Sequence, residues 1–158
     1  VKAVEWSGDR VRLLDQRALP HDERYVVATH PDQVVEAIRS MAVRGAPLLG
    51  IVAGFGVALA GSRSGGSSAG EVRRDMDRAG KRLVGTRPTA VNIAWAVDRV
   101  LSRARSAQGG GVEAVRTAAV DEALSIARED EEACESIGRL GADLIPEGSN
   151  VLTHCNTG

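Results

Sequence analysis

A mixed α/β fold follows from three features of the sequence. Short alternating segments open the chain, helical periodicities fill its middle, and one β-favouring stretch closes it. The expected architecture is an N-terminal domain over 1–146, with a small antiparallel sheet over about 1–29 and a helical body over about 31–145. Residues 147–158 then read as a strand that begins a second domain rather than ending the first.

The elements follow in order. "VKAVEW" alternates, "SGD" turns, and "RVRLLD" returns as its partner. "RYVVATH" is a third strand for the same sheet. In "HPDQVVEAIRSMAVRG", Pro31 and Asp32 suit a first helical turn. Val34, Val35, Ile38, Met41 and Ala42 make one apolar face, and Gly45 is the expected stop. A helix from about Pro47 follows and ends in the Ser/Gly loop "GSRSGGSSAG", which shows no chemistry. Residues 71–84 read as a polar-faced helix. "TRPTAVNIAWAVDRVLSRA" opens another, with Pro88 in its first turn. The longest helical segment runs from about Val112 to Leu144, with Gly138 and Gly141 as the places for a bend. "IPEGSN" turns the chain into the final strand, Val151–Thr153.

Composition narrows the function classes. The 158 residues are enough for one domain with a real core, and they are 43% hydrophobic and 26% charged. A net charge of −1 argues against a nucleic-acid or membrane-surface binder. Aromatics are only 3%, so the core must be built from small side chains. Cys134 and Cys155 show no disulfide or zinc spacing and read as free thiols in a reducing cytoplasm. No stretch reads as a signal peptide. The chain opens on Val rather than Met, as a processed or partial chain would. "APLLGIVAGFGVALAG" is short and Gly-rich for a bilayer span, which takes roughly 20 residues. It reads as a helix buried on most sides, with a membrane-inserted segment as the lesser alternative.

Four places carry candidate chemistry. In "VRGAPLLG", Arg44 and Gly45 stand before a helix whose first turn holds Pro47. A helix N-terminus offers unpaired N–H groups and the positive end of the macrodipole, and an Arg adds a donor fork suited to phosphate. In "GTRPTAVN", Arg87 repeats that placement, so the two arginines are candidates to clamp one anion. A tight turn with a solvated Arg is the other reading of each. Asp130 falls on the stripe Ala119, Ala123, Ile126, Ala133, Ile137 and Leu140. An acid there must be paired or hydrogen-bonded, and a structural ion pair or a helix-terminus contact is the favoured explanation, with Glu129, Glu131 and Glu132 on the solvated side. In "THCNTG", adjacent strand residues point to opposite faces, so His154 and Cys155 form no dyad while the strand persists. Cys155 is either a small packing residue or a reactive group at a strand tip followed by a turn.

"AVRGAPLLGIVAGFGVALA", "GTRPTAVNIAWAVDRV", the acidic helix ending "IGRLGADLIPEG" and "VLTHCNTG" stand in the order found in the methylthioribose-1-phosphate isomerases. That family shares a superfamily with the regulatory subunits of translation initiation factor 2B. The resemblance extends from about Trp6 to the end. It implies that Arg44, Gly45 and Ala46 match the phosphate-binding "RGA" motif, Arg87 the substrate-binding Arg, and Cys155 the catalytic Cys. It also implies a cytoplasmic homodimer of about twice this length that works without metal or organic cofactor. The second half, which carries the catalytic Asp, would be a Rossmann-like domain begun by the final strand here. This segment alone is then expected to be inactive.

The implied reaction interconverts 5-methylthioribose 1-phosphate and 5-methylthioribulose 1-phosphate in methionine salvage. Two alternatives are open: an isomerase of 5-deoxyribose 1-phosphate or ribose 1,5-bisphosphate, and a non-catalytic binding subunit of the initiation-factor type. The partner is a small sugar phosphate in the enzymatic readings, with no nucleic acid or membrane.

Overall fold

The computed structural model describes residues 1–154. Strands β1 (Val4–Ser7), β2 (Arg10–Leu14) and β3 (Tyr25–Ala28) form one antiparallel sheet in the order β1-β2-β3. Its register pairs Trp6 with Val11 and Val11 with Ala28. Gly8, at φ 66°, makes the tight β1–β2 connection that a side chain would strain. Along β2 the pleat buries Val11 and Leu13 and turns Arg10 and Arg12 to solvent. The sheet meets the helices where Trp6 stacks on Phe55, with ring centroids 5.7 Å apart.

The helices are α1 (Pro31–Arg39), α2 (Ala46–Arg63), α3 (Ala69–Val84), α4 (Val91–Ser106) and α5 (Gly111–Ala142). Helix α2 is the axis of the body. It packs against α1, α3, α4 and α5, and Leu48 through Gly61 are all buried. Its window of mean hydropathy 1.4 is long and apolar enough to cross a membrane, but 72% of it is buried inside the protein. Each fully buried Val, Leu or Ile here contributes about 1.5–3 kcal/mol of transfer free energy. Close helix contact replaces bulky aromatics: a Cβ on Gly50 would meet the Asn92 carbonyl oxygen at 3.0 Å, and one on Gly80 would meet Val97 at 2.9 Å.

Several element ends differ from the sequence expectation. Helix α1 stops at Arg39 instead of reaching Gly45, and Met41 adopts φ 60° and stands 46% exposed. Tertiary hydrogen bonds win there: Gln16 N–H donates to the Ala42 carbonyl at 2.8 Å, and Val43 N–H to that of Ala37 at 3.2 Å. Ala42 and Val43 are thereby buried in an irregular turn. Helix α3 starts two residues before the expected 71, because Ser68 and Glu71 form a capping box. Helix α4 starts at Val91, and Pro88 lies in a preceding turn closed by Ala90 N–H to the Arg87 carbonyl at 2.9 Å.

Helix α5 runs 32 residues, continuous through Gly138 and Gly141. The expected apolar stripe is only half realised. Ala119, Ala123 and Ile126 are buried, whereas Ala133, Ile137 and Leu140 are exposed. The packing surface of the other helices ends near Ile126, and α5 continues beyond it. The strand expected at Val151–Thr153 is also not formed: residues 151–154 are irregular, and Leu152 is 98% exposed. A strand exists only by pairing its N–H and C=O groups with a neighbour, and β1–β3 lie elsewhere.

Candidate functional site

The chain enters α2 through Gly45, which caps the helix at φ 102° and ψ 126°. Only glycine takes that conformation readily. Helix α2 then begins Ala46-Pro47. Leu49 N–H is satisfied by the Gly45 carbonyl at 2.9 Å. The first-turn N–H groups of Ala46 and Leu48 have no intrahelical acceptor, and Pro47 has no N–H. The end of α2 is therefore an anion-accepting surface built from backbone alone.

Arg44 and Arg87 both line one cavity at this end, of about 640 Å³, together with Gln16, Met41, Gly45 and Ala46. Gln16 Nε2 donates to the Arg44 carbonyl at 3.3 Å, tying the loop after β2 to the mouth of α2. Arg44 is exposed and Arg87 half-buried. Among the described residues neither guanidinium is in an ion pair, whereas Arg63, Arg82, Arg99 and Arg105 each hold a carboxylate. Two arginines without carboxylate partners among the described residues, lining one cavity beside the first turn of α2, are suited to a phosphate. Arg87 reaches the cavity from the turn before α4, not from the helix mouth that the sequence reading placed it at. Cys155 lies outside the described residues.

A second cavity, of about 410 Å³, lies on the neighbouring stripe of α2. Pro47, Ile51, Trp95 and Ile126 form its apolar wall, and Asn92, Glu129 and Asp130 its polar rim. The structural ion pair expected of Asp130 belongs to its neighbour. Arg99 Nη1 and Nη2 donate to the Glu129 carboxylate at 2.5 and 2.6 Å, and Arg99 Nε to Glu122. Arg99 hydrogen-bonds Glu129 and holds its carboxyl below the usual glutamate range. Asp130 is half-buried, and among the described residues its carboxylate has no ion-pair partner. The sequence reading assigns Gln16, Asn92 and Trp95 no role and places Met41 on the apolar face of the first helix, whereas Met41 is 46% exposed and lines the first cavity. Gln16 gave no signal, whereas a Trp on the exposed side of an amphipathic helix was a legible one.

The comparisons with known proteins bear on this arrangement. A family model, described as the Initiation factor 2 subunit family, matches residues 42–158. The chain belongs to that family, and the matched region holds both arginines and both cavities apart from Gln16 and Met41. It is similar to proteins named methylthioribose-1-phosphate isomerase. The protein from Trichlorobacter lovleyi is 43% identical over 99% of this chain and 45% of its own length. That from Xylella fastidiosa is 46% identical over all of this chain and 44% of its own. The chain thus spans about half the length of these curated relatives.

Solved structures agree. A 5-methylthioribose 1-phosphate isomerase from Pyrococcus horikoshii superposes with TM-score 0.88 at 36% identity, over 93% of this chain and 41% of that one. The delta subunit of translation initiation factor eIF-2B from A. fulgidus gives TM-score 0.90 at 34% identity, over 100% and 46%.

Proposed function

We propose that this chain forms the phosphate-binding part of an aldose–ketose isomerase acting on 5-methylthioribose 1-phosphate in methionine salvage. The observation that carries the reading is that Arg44 and Arg87, both without carboxylate partners among the described residues, line one cavity at the Gly45 end of α2. Phosphate oxygens take the two guanidinium forks and the Ala46 and Leu48 N–H groups. This fixes C1 of the sugar over the mouth of α2. The names of the relatives support the substrate.

An aldose 1-phosphate is blocked at its anomeric carbon, so isomerisation must open the ring and move hydrogen from C2 to C1. Cys155 supplies the thiol for that transfer. A second group is needed, because one thiol cannot remove and return protons at two carbons while also serving the ring oxygen. In this reading the second group belongs to a Rossmann-like half such as the relatives' greater length would accommodate, and the active species is a cytoplasmic homodimer. Residues 1–158 alone are inactive.

A second reading, a non-catalytic binding subunit, is favoured by the superposition of the whole of this chain on 46% of the eIF-2B delta subunit. Turnover separates the two. The protein encoded by the complete gene, assayed on 5-methylthioribose 1-phosphate, is expected to give the ketose, with Cys155→Ser lowering kcat by 100-fold or more at unchanged stability. A protein that binds the sugar phosphate without converting it would favour the subunit reading. A serine variant with wild-type turnover would remove Cys155 from the chemistry.

A further inference from the structure

Resting on the isomerase reading, we propose that the Trp95–Asp130 cavity receives the neutral 5-substituent end of the sugar and excludes a second phosphate there. The two cavities flank one feature. Ala46 and Leu49 line the first and Pro47 and Ile51 the second, so the opening turns of α2 stand between them. The start of α4 is shared in the same way, with Thr89 and Ala90 on one side and Asn92 and Trp95 on the other. Gly50 makes this possible, because only a residue without Cβ lets α2 lie against the Asn92 backbone. A helix with its side chains is about 10–12 Å across. A pentose phosphate with a short tail has comparable length, and in this assignment one ligand lies over the mouth of α2 with an end in each cavity.

Charge sets the direction in which that ligand lies. The first cavity has two arginines and no carboxylate among its lining residues. The second has Glu129 and Asp130 and no Lys or Arg among its lining residues. A phosphate in the second cavity would face Asp130, which has no ion-pair partner among the described residues, beside a Glu129 whose charge Arg99 offsets, and like charges at close range are strongly disfavoured. A thioether meets the apolar wall instead. Trp95 is 52% exposed, and Arg99 lies 5.4 Å from its ring centroid, so the indole is braced by the α4–α5 contact. Sulfur packs well against aromatic rings. Asn92 and Asp130 supply acceptors for the sugar hydroxyls between the two ends.

This geometry ranks the alternative substrates. A 5-methylthio group is preferred over a 5-hydroxyl by the apolar wall, and ribose 1,5-bisphosphate is disfavoured by the unpaired Asp130. The test uses the protein encoded by the complete gene, with kcat/KM measured on 5-methylthioribose 1-phosphate, ribose 1-phosphate and ribose 1,5-bisphosphate. Inhibition by inorganic phosphate reports the first cavity separately. Trp95→Ala is expected to cut the methylthio-to-hydroxyl preference by 10-fold or more while leaving phosphate inhibition unchanged. Trp95→Phe should retain most of the preference. Asp130→Asn should raise the relative use of the bisphosphate several-fold. A preference unmoved by Trp95→Ala, or a wild-type protein that prefers the bisphosphate, overturns the assignment and leaves the isomerase reading standing. A wild-type protein that neither converts nor binds any of the three overturns both.

Discussion

Arginine serves two opposite purposes in this molecule, and the α4–α5 contact and the mouth of α2 show them side by side. Arg99 is only partly exposed and spends its donors on Glu122 and Glu129, joining two helices. Arg44 and Arg87 line a cavity and have no carboxylate partner among the described residues. The backbone differs as well. Around Arg99 it is regular helix, whereas Arg44 sits between Met41 at φ 60° and Gly45 at φ 102°. A paired arginine on regular structure is cement. An unpaired one held by irregular backbone is available to a ligand, and the structure tolerates the conformational cost because the flanking Ala42 and Val43 are buried.

The contrast can be broken at several points. The largest expected effect is on catalysis at the mouth of α2. Arg44→Ala and Arg87→Ala should each lower kcat/KM on the order of 10- to 100-fold, since a hydrogen bond to a charged group contributes about 1.5–3 kcal/mol. If both hold one phosphate, the double variant loses less than the product of the single losses. Additive losses would place the two arginines on different ligands. Neither substitution should shift the thermal midpoint.

Next comes Gly50→Ala, which places a methyl against the Asn92 backbone. Backbone cannot move aside as a side-chain end can, so the cost is about 1–3 kcal/mol of stability. Because α2 and α4 would be pushed apart between the cavities, activity should fall as well. Calorimetry and kinetics on the same preparation check both effects. Unchanged stability would mean that the helices separate freely.

Arg99→Ala should be milder, about 1 kcal/mol of stability, with phosphate inhibition unaffected. Its signature is in the pH dependence. Glu129 has its folded carboxyl lowered, chiefly by the Arg99 hydrogen bond. A lowered folded value means stability that is complete above the ordinary glutamate range and lost as pH falls through the depressed value. The wild type should therefore lose this contribution only in acid, and Arg99→Ala should flatten that part of the acid profile. Equal acid profiles in denaturant titrations would show that the clamp adds nothing.

The sheet and the helix count were legible because each element carries its own period. Val11 and Leu13 alternate with Arg10 and Arg12, and Leu48–Gly61 is apolar on all sides, as the burial of α2 requires. The arginines of the site were legible as a repeated device, an Arg ahead of a Pro at the start of a helical segment. Gln16 was not, because it reaches Arg44 across 28 residues and no local pattern marks such a contact. The sequence reading places Asp130 within an apolar stripe that continues to Leu140, whereas the stripe is buried only as far as Ile126, and the ion pair expected of Asp130 belongs to Glu129. Residues one apart on a helix point about 100° from each other, and which of them meets Arg99 depends on how α4 lies against α5.

The sequence by itself determined what can be read within one turn or one pleat: strand alternation, the all-round burial of α2, the glycine at its mouth and the two arginines ahead of prolines. Only the tertiary structure decided where those elements stop and what they face. Helix α1 ends early because Ala42 and Val43 find partners in β2's following loop and in α1 itself. Helix α5 outruns its own core because, among the described residues, none of its apolar side chains beyond Ala127 packs against the core. Residues 151–153 have strand composition without strand structure for the same reason: hydrogen-bond partners and apolar contacts are supplied by neighbours, and a neighbour is not encoded in the segment that needs it.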